Sequence, residues 1–364
     1  MYKNVPLLTK EEEYKYKEPK IIKKYSCINI CLIILKIPFI YILLYLLRLA
    51  SKIDYKNSLV YIYDYPTTTN SQKMIEKKTN MKIALCTIGK QENLYAKEFI
   101  EYYIHIGVDH LYIYDDNDPN TERIADIVEP KYQSKVTIHS TKEKNLTHQS
   151  MAFDHCYKNY NKQYDWFIML DMDEFLYTVN TTLEEYLSQQ IFDKCDIIKI
   201  NWVVSRDNNL LHYDSRPQFE RFKPPYIKFS FIKSIIKGNI PDLTYWVHSP
   251  KFSPTRNTTC NNKGDIIKIN NDADLIFEQV IPPNVEKAFI IHFRFKSTEE
   301  LIIKNKRGFG NWLHDLEFTL NAHIWDYFNQ NEITLEKIEY IEKELNLNLW
   351  KYRLRYYYGK LFYL

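Results

Sequence analysis

The chain has 364 residues, of which 45% are hydrophobic and 26% are charged, and its formal net charge is only +3. A balance this close to neutral gives no support for a nucleic-acid partner, because such domains carry an excess of Lys and Arg on one face. Only seven glycines occur, and neither a G-x-x-x-x-G-K-[ST] loop nor a G-x-G-x-x-G turn is present, so P-loop and classical dinucleotide-binding functions lose their main support.

The most apolar stretch covers residues 27–50 and has the length of a membrane span. Lys36 and Pro38 fall near its middle, where a charge is costly, so an interfacial or packed helix is the alternative. Basic residues are more numerous before the stretch than after it, which predicts a cytosolic N-terminus if the segment spans. We predict that residues 1–80 form a tail, a candidate single-pass membrane anchor and a stem; a soluble or peripheral protein is the alternative.

From residue 81 onward, predicted strands alternate with predicted helices. Apolar runs predict strands at 81–87, 110–114, 135–139, 165–170, 196–202 and 289–293, and helical spacing predicts helices at 93–106 and 148–160. Further helices are predicted to begin at a cap on Thr181 or Thr182 and at the capping box Ser297-Thr298-Glu299-Glu300. This alternation predicts an α/β fold with a mostly parallel sheet and helices on both faces. We predict a catalytic domain over 81–315 and a C-terminal helical extension over 316–364.

Two carboxylates follow the apolar run Trp166-Phe167-Ile168-Met169-Leu170, in the sequence Asp171-Met172-Asp173-Glu174. Ligands of open α/β sheets bind outside the carboxyl ends of the strands. A hard divalent cation prefers oxygen ligands and shares its coordination shell with substrate phosphates. Asp171 and Asp173 are therefore predicted to form a metal–diphosphate site of the kind that a nucleotide-sugar occupies.

Two other D-x-D triplets, at 116–118 and 272–274, do not follow a long apolar run that ends on the first Asp. Asp118 and the later triplet are interpreted as solvated turns. A phosphatase of the D-x-D-x-T/V type also places its nucleophile after a strand, but the residue at the fifth position here is Phe175.

The six cysteines contain no C-x-x-C pair, which argues against a zinc site. Cys86 and Cys195 lie in or beside apolar runs and are interpreted as buried thiols. Three N-x-[ST] triplets occur, at Asn145, Asn180 and Asn257; because the chain is rich in Asn, they are given no weight as evidence of secretion.

Several sequence blocks follow one another over roughly residues 82–310. They are Lys90-Gln91-Glu92-Asn93, the helix segment at 99–103, the strand segment at 107–115, Gln149-Ser150-Met151-Ala152-Phe153-Asp154-His155-Cys156, the run 166–176, Phe219-Glu220-Arg221, Val247-His248 and the run 291–297. In this order they resemble glycosyltransferase family 92 and related family 2-type GT-A enzymes. One departure is Gln91, where the family usually has Asn between Lys and Glu.

The resemblance implies a GT-A fold, a nucleotide-diphospho-sugar donor and a divalent cation, Mn²⁺ or Mg²⁺. It also implies a hexosyltransferase that transfers the sugar with inversion of the anomeric centre. UDP-galactose, or another UDP-hexose, is the donor expected from the family, and the acceptor is the hydroxyl of a glycan or glycoconjugate. Membrane association through residues 27–50 is expected only if that segment is an anchor.

The resemblance also implies roles for individual residues. Asp171 and Asp173 are predicted to hold the cation, and His292, in the run Phe289-Ile290-Ile291-His292-Phe293, is predicted either to complete the shell or to be a core histidine. Asp115 is predicted to contact the nucleotide. Glu92 and Gln149 are assigned to the donor site, although a favourable charge at a helix N-terminus is the preferred explanation for Glu92.

Other residues near these blocks have weaker assignments. Glu174 is predicted either to hydrogen-bond behind the metal ligands or to cap the following turn. Arg294 is a candidate phosphate donor, and Lys296 is either a second one or an ordinary solvated residue.

An inverting transfer also needs a base that can reach the acceptor hydroxyl. Glu220 is the first candidate, beside Asp207 and Asp242, although an ion pair with the adjacent Arg221 is the expected state of Glu220. Asp173 is the other residue predicted to act in catalysis, through the cation.

The basic and aromatic segment 350–358 is interpreted as the end of a packing helix rather than as a membrane-binding surface. A catalytically silent sugar- or protein-binding module and, less favoured, a metal-dependent phosphoester hydrolase are the competing functions.

Overall fold

The computed structural model describes residues 59–60, 79–251, 258–270, 276, 283–308 and 316–361. They belong to a unit that spans Ser58–Leu364. The candidate anchor at 27–50, the triplet at 272–274 and Asn257 lie outside the described residues. Among the helices that are described, none combines the length and the apolar character needed to cross a membrane.

Twelve strands and eight α-helices occur in the described ranges. The strands are β1 Leu59–Val60, β2 Ile83–Gly89, β3 His110–Asp115, β4 Val136–Ser140, β5 Trp166–Met169, β6 Glu174–Thr178, β7 Ile197–Val204, β8 Tyr226–Lys237, β9 Thr244–Tyr245, β10 Pro250–Lys251, β11 Thr259–Asn261 and β12 Ala288–His292. The helices are α1 Asn93–His105, α2 Gln149–Tyr160, α3 Leu183–Leu187, α4 Gln218–Arg221, α5 Thr298–Lys306, α6 Leu316–Gln330, α7 Leu335–Leu345 and α8 Trp350–Leu361.

The main sheet is mixed, so the prediction of a mostly parallel sheet was wrong. Its strand order is β4-β3-β2-β5-β8-β7-β12-β6, and β1 and β11 pair with β8 and β7. Strands β4, β3, β2 and β5 are parallel to one another. The long strand β8 then runs antiparallel to both β5 and β7, and edge strand β6 runs antiparallel to β12. Antiparallel neighbours need no crossover helix, and β8 was not among the predicted strands.

Helices cover both faces of the parallel part of the sheet, as predicted. Ile83, Leu85 and Ile113 face a cluster that contains α1 side chains. The alternate residues Ala84 and Tyr112 face a second cluster that contains side chains of α2. Successive residues of a strand point to opposite faces, so strands covered on both faces are apolar throughout, which is why their runs were recognisable in the sequence.

The predicted starts and stops of several helices agree with the structure. The Thr182 hydroxyl accepts a hydrogen bond from the Glu185 backbone N–H, and Ser297 does the same with Glu300, so both helices begin with capping boxes. Gly107, which follows α1, has a φ of 101°, a value that glycine adopts without steric cost.

The C-terminal helices share a third apolar cluster with α5 and the end of β7. Helix α8 packs on this cluster through Tyr352 and Tyr356, in agreement with the predicted packing role. Its opposite side leaves Trp350, Leu354 and Tyr357 exposed.

The interpretation of Cys86 and Cys195 as free buried thiols was wrong. Cys86 on β2 is bonded to Cys156 on α2, and Cys195 is bonded to Cys260 on β11. The partners are 70 and 65 residues apart in the sequence, so only the packing of α2 against β2 and of β11 against β7 brings them together.

Candidate active site

The turn Asp171-Met172-Asp173 lies at the carboxyl edge of the parallel strands. The register of β5 with β2 and of β2 with β3 aligns Met169 with Cys86 and Gly89 with Asp115. Gly89 permits this packing, because a Cβ there would lie 3.0 Å from the Met172 Cε atom. Two acids thus emerge where the end of a buried strand meets the ends of its neighbours, as the sequence predicted.

A cavity of about 560 Å³ opens at this edge. Among its lining residues are the acidic side chains Glu92, Asp116, Asp171 and Asp173, the basic side chains Lys90, Lys142, Lys304 and Arg307, and the polar residues Asn145 and Gln149. The cavity therefore combines oxygen ligands with cationic hydrogen-bond donors.

A larger groove of about 860 Å³ lies near the amino ends of β2 and β5, where Lys82, Asp165 and Lys237 line it. We assign the active site to the smaller cavity, because ligands of α/β sheets bind at the carboxyl ends of the strands and because the paired acids face it.

Asp171 is held by a lysine from the strand that the sequence did not predict. The buried Lys233 of β8 places its Nζ 2.9 Å from Asp171 Oδ1, and the Gln149 amide also donates to that oxygen. Burial alone would raise the pKa of Asp171, but the Lys233 ammonium outweighs burial and lowers the pKa below its usual value. Asp171 is therefore a carboxylate at neutral pH, and about a third of its side chain remains exposed to the cavity.

Asp173 is more deeply buried and contacts two basic side chains. Lys304 of α5 donates to Oδ2 at 2.7 Å, and His292 Nε2 lies 3.4 Å from Oδ1. Burial opposes ionisation, yet the Lys304 ammonium holds the pKa of Asp173 well below its usual range. Lys304 and Asp173 therefore form an ion pair in the wall of the cavity.

His292 ends β12 and is buried, with its ring edge against Trp202 at a centroid distance of 4.5 Å. Burial lowers its pKa, so the imidazole is neutral at neutral pH. Among the described residues, its Nδ1 atom has no hydrogen-bond partner, and neither does Glu174 Oε1, which lies 3.9 Å away. The structure thus places His292 beside the paired acids, and its role as a metal ligand stays a prediction.

Glu174 stabilises the turn that carries Asp171 and Asp173. Its Oε2 accepts a hydrogen bond from the Asp171 backbone N–H at 3.0 Å. Burial and the neighbouring carboxylates of Asp171 and Asp173 raise its pKa well above the usual value. It combines the two predicted roles, since it lies behind the paired acids and fixes the turn that carries them.

Asp115 ends β3 as predicted, but its carboxylate points into the protein. It accepts hydrogen bonds from the backbone N–H groups of Asn117 and Ile124 and from Arg123 Nε, at 3.0, 2.9 and 3.1 Å. The next residue, Asp116, lines the cavity instead and contacts Lys142 at 3.1 Å. The nucleotide-binding role of Asp115 remains a prediction, and Asp116 is the acid of this strand end that a ligand could reach directly.

Glu92 precedes α1, but its side chain does not cap that helix. Its carboxylate pairs with Lys296 at 3.2 Å and with Arg307 at 2.5 Å, at the edge of the cavity. Lys296 is buried over the Tyr95 ring, 3.4 Å from its centroid, so the expectation of a solvated lysine was wrong. Arg294 pairs with Asp326 at 2.8 Å.

The three candidate bases do not line the cavity in the described part of the chain. Glu220 lies on α4, and the expected ion pair with Arg221 does not form, because Arg221 makes a buried two-pronged pair with Glu300 instead. Asp207 is buried between Lys337 and Tyr327. Asp242 occupies a loop with a φ of 54°.

Three further residues that contact an acid of this site were not predicted from the sequence: Lys233, Lys304 and Arg307. One signal was available for Lys233: it stands among Ile232, Ile235 and Ile236, and a lysine in an apolar run needs a buried acidic partner. Lys304 and Arg307 lie at the end of an ordinary helix and carry no such signal.

The ligand atoms at the site are of types that bind a hard divalent cation, although the structure does not arrange them as a metal-binding cluster. No group of three or more His, Cys, Asp or Glu residues is arranged to hold a metal ion in the described ranges. The oxygens of Asp171 and Asp173 nevertheless reach one cavity beside the neutral imidazole of His292, and these are ligand types that Mn²⁺ or Mg²⁺ accepts. Two lysines balance the charge of these acids in the structure.

The site and the comparison with known families together identify the class of the protein. A family model described as Glycosyltransferase family 92 matches residues 79–349, which is more than half of the chain. The protein is therefore a glycosyltransferase, with a sugar donor and a glycan acceptor as the partners that its family implies. The chain belongs to glycosyltransferase family 92. A search of curated proteins gives no match.

Proposed function

We propose that this glycosyltransferase transfers a hexose from a nucleotide-diphospho-sugar to a glycan hydroxyl with the help of a divalent cation. The observation that carries the proposal is the cavity in which Asp171 and Asp173 face the same space as Lys304 and Arg307. Paired carboxylates would suit a divalent cation that binds a diphosphate, and neighbouring cationic side chains would suit the phosphate oxygens. The resemblance to the family's opening blocks supports UDP-galactose, or another UDP-hexose, as the donor.

Asp171, Asp173 and His292 would hold the cation. When bound, the cation neutralises charge that develops on the departing nucleoside diphosphate. The chain's own contribution is to keep both carboxylates ionised through Lys233 and Lys304, and to keep the imidazole of His292 neutral through burial. Lys304 and Arg307 then stand beside the acids as donors to phosphate oxygens.

Inversion at the anomeric carbon is also part of the proposal. It needs a base within hydrogen-bond reach of the acceptor hydroxyl. Glu220 remains the proposed base, although in the structure it lies on α4 and does not line the cavity. The anomeric configuration of the product, determined by NMR, tests this point independently of which residue acts as the base.

A donor screen tests the proposed reaction. The purified chain is incubated with each common nucleotide-sugar and a panel of glycan acceptors, with Mn²⁺ or with a chelator, and both nucleotide release and labelled acceptor are measured. We expect transfer from a UDP-hexose that the chelator abolishes. Nucleotide binding without turnover would instead favour a silent binding module, and phosphate release without labelled acceptor would favour a hydrolase.

We expect Lys304→Met to weaken donor binding. Lys304 is a partly exposed cation on the cavity wall, 2.7 Å from Asp173, and a hydrogen bond to a charged group contributes about 1.5–3 kcal/mol. The KM for the donor should therefore rise roughly tenfold to a hundredfold. Lys306→Met is the matched control, because Lys306 lies on the same helix but pairs with Glu344 on the surface. Equal KM values for the two variants would remove Lys304 from the donor site.

We expect the apparent Mn²⁺ affinity of the wild type to fall in acid, because a protonated imidazole cannot ligate. The pKa of His292 is lowered by burial, so the loss should begin below the ordinary histidine value of about 6.5. His292→Ala should bind Mn²⁺ more weakly and lose this histidine-linked part of the pH dependence. If His292 only fills the core, the variant should instead melt earlier without metal and bind Mn²⁺ as the wild type does. Titrating Mn²⁺ and measuring metal-free melting at two pH values separates these results.

A further inference from the structure

Every cysteine after residue 31 is paired in this structure. Cys86 with Cys156 and Cys195 with Cys260 account for all four, and their Cα atoms are 6.5 and 5.8 Å apart. These separations fall in the range that a disulfide requires. All four residues are fully buried, so each pair closes during folding rather than on the finished surface.

Two buried disulfides that link distant parts of the chain indicate the kind of cellular compartment in which the chain folds. A reducing cytosol keeps cysteine thiols reduced, whereas an oxidising compartment allows disulfides to form and persist. In each closure two thiols lose two protons and two electrons to a thiol oxidant of the compartment, which accepts them by disulfide exchange. The oxidising compartment of a eukaryotic cell also adds N-linked glycans to N-x-[ST] triplets.

Asn180 is well placed to carry such a glycan. It lies after edge strand β6, is exposed, and has a φ of 55°, a turn conformation that asparagine tolerates. Strand β6 runs from Glu174, beside the paired acids, to Thr178, and an extended strand of this length spans roughly 13 Å. Asn180 follows in the turn beyond that end. A glycan there extends into solvent and leaves the cavity open.

The other triplet within the described residues is placed differently. Asn145 is exposed too, but it lines the candidate active-site cavity. A glycan on Asn145 would fill the entrance that the donor needs. The two asparagines therefore form a matched pair, one that tolerates a glycan and one whose modification conflicts with the site.

We propose that the unit containing both disulfides folds in an oxidising, membrane-enclosed compartment and that Asn180 is N-glycosylated there. In this step Asn180 Nδ2 loses a proton and forms a bond to C1 of an oligosaccharide. The bond from C1 to the diphosphate of a lipid-linked donor breaks, and the lipid diphosphate leaves with the electron pair. The proposal does not depend on which sugar this enzyme itself transfers.

The test uses the full chain with its own N-terminus, expressed in eukaryotic cells and digested with an N-glycosidase. We expect the wild type to gain mobility on digestion, and Asn180→Gln to lose one such mobility step while Asn145→Gln keeps it. An unchanged wild type would overturn the proposal. A step that disappears in Asn145→Gln and persists in Asn180→Gln would overturn the assignment to Asn180.

Thr182 supplies a sharper control, because its hydroxyl belongs to the triplet and also caps α3. Thr182→Ser keeps both the cap and the triplet and should keep the glycan. Thr182→Asp keeps a capping oxygen but destroys the triplet, so it should fold and lose the same mobility step as Asn180→Gln. A mobility step of unchanged size in Thr182→Asp would overturn the assignment to Asn180.

The disulfides give an independent measurement on the same cells. Thiols are alkylated before lysis, and proteolytic peptides are then analysed without reduction. We expect the peptides of Cys86 and Cys156, and those of Cys195 and Cys260, to be recovered as linked pairs. Recovery of these four cysteines in alkylated form would overturn the assignment of the compartment.

Discussion

Asp173→Asn should abolish most of the transfer activity while the protein stays folded. The substitution removes the negative charge that faces the cavity and that His292 and Lys304 both contact. Loss of one preorganised electrostatic group in an active site lowers the rate by roughly 100-fold or more. Asn keeps the shape of the side chain, and Lys304, the cation left without its partner, is partly exposed. We therefore expect the variant to fold, with a melting temperature moderately below that of the wild type. The measurement is the rate of transfer at limiting Mn²⁺, together with a thermal melt.

Asp165→Asn is the matched control for this variant. Asp165 immediately precedes β5, at the opposite end of the strand from Asp173, and its carboxylate accepts a hydrogen bond from the Lys82 backbone N–H. The Asp165→Asn variant has the same type of substitution far from the cavity, so we expect it to keep wild-type transfer activity. Wild-type turnover in Asp173→Asn would show that the paired acids are not the active site. Equal losses in both variants would point to a general effect on the sheet.

Arg221→Ala should destabilise the fold by about 3–5 kcal/mol, the cost of leaving one partner of a buried ion pair unpaired. Arg221 and Glu300 are each almost fully buried and make two hydrogen bonds, at 2.7 and 3.1 Å. Glu300 also accepts from the Tyr95 hydroxyl and from Ser297 at the start of α5. Without Arg221, the Glu300 carboxylate would keep these hydrogen-bond donors but lose the positive charge that balances it.

The expected loss is a large share of a typical free energy of unfolding, so the urea midpoint should fall clearly. Arg216→Ala is the matched control, because Arg216 pairs with Asp214 on the surface, where an ion pair contributes about 1 kcal/mol or less. A midpoint for Arg221→Ala no lower than that for Arg216→Ala would contradict the structural role given to this pair.

Local patterns in the sequence located most of the elements that build the site. Strands β2, β3 and β5 are buried on both faces and therefore appear as continuous apolar runs. Helices α1, α3 and α5 were recognisable from apolar spacing or from their caps. The paired acids were found because an apolar run ends directly before Asp171, and His292 was found through family resemblance in the strand that ends beside them.

Strand β8 escaped recognition because its pattern is less regular. Lysines at 228, 233 and 237 interrupt its apolar residues, and the strand is only half buried at its start. Its absence from the prediction made the sheet look mostly parallel. It also hid Lys233, whose partner Asp171 lies 62 residues earlier in the chain.

The sequence by itself determined most of the strands and helices around the site and which strand ends in two acids, since burial on both faces, helical spacing and capping are properties of neighbouring residues. The tertiary structure decided the direction of β8, the pairing of the four cysteines and the partners of each charge. Those outcomes depend on contacts between residues far apart in sequence, such as Lys304 with Asp173 and Arg221 with Glu300. A charge can be read from the sequence, but its pKa follows from burial and from the neighbours that folding places around it.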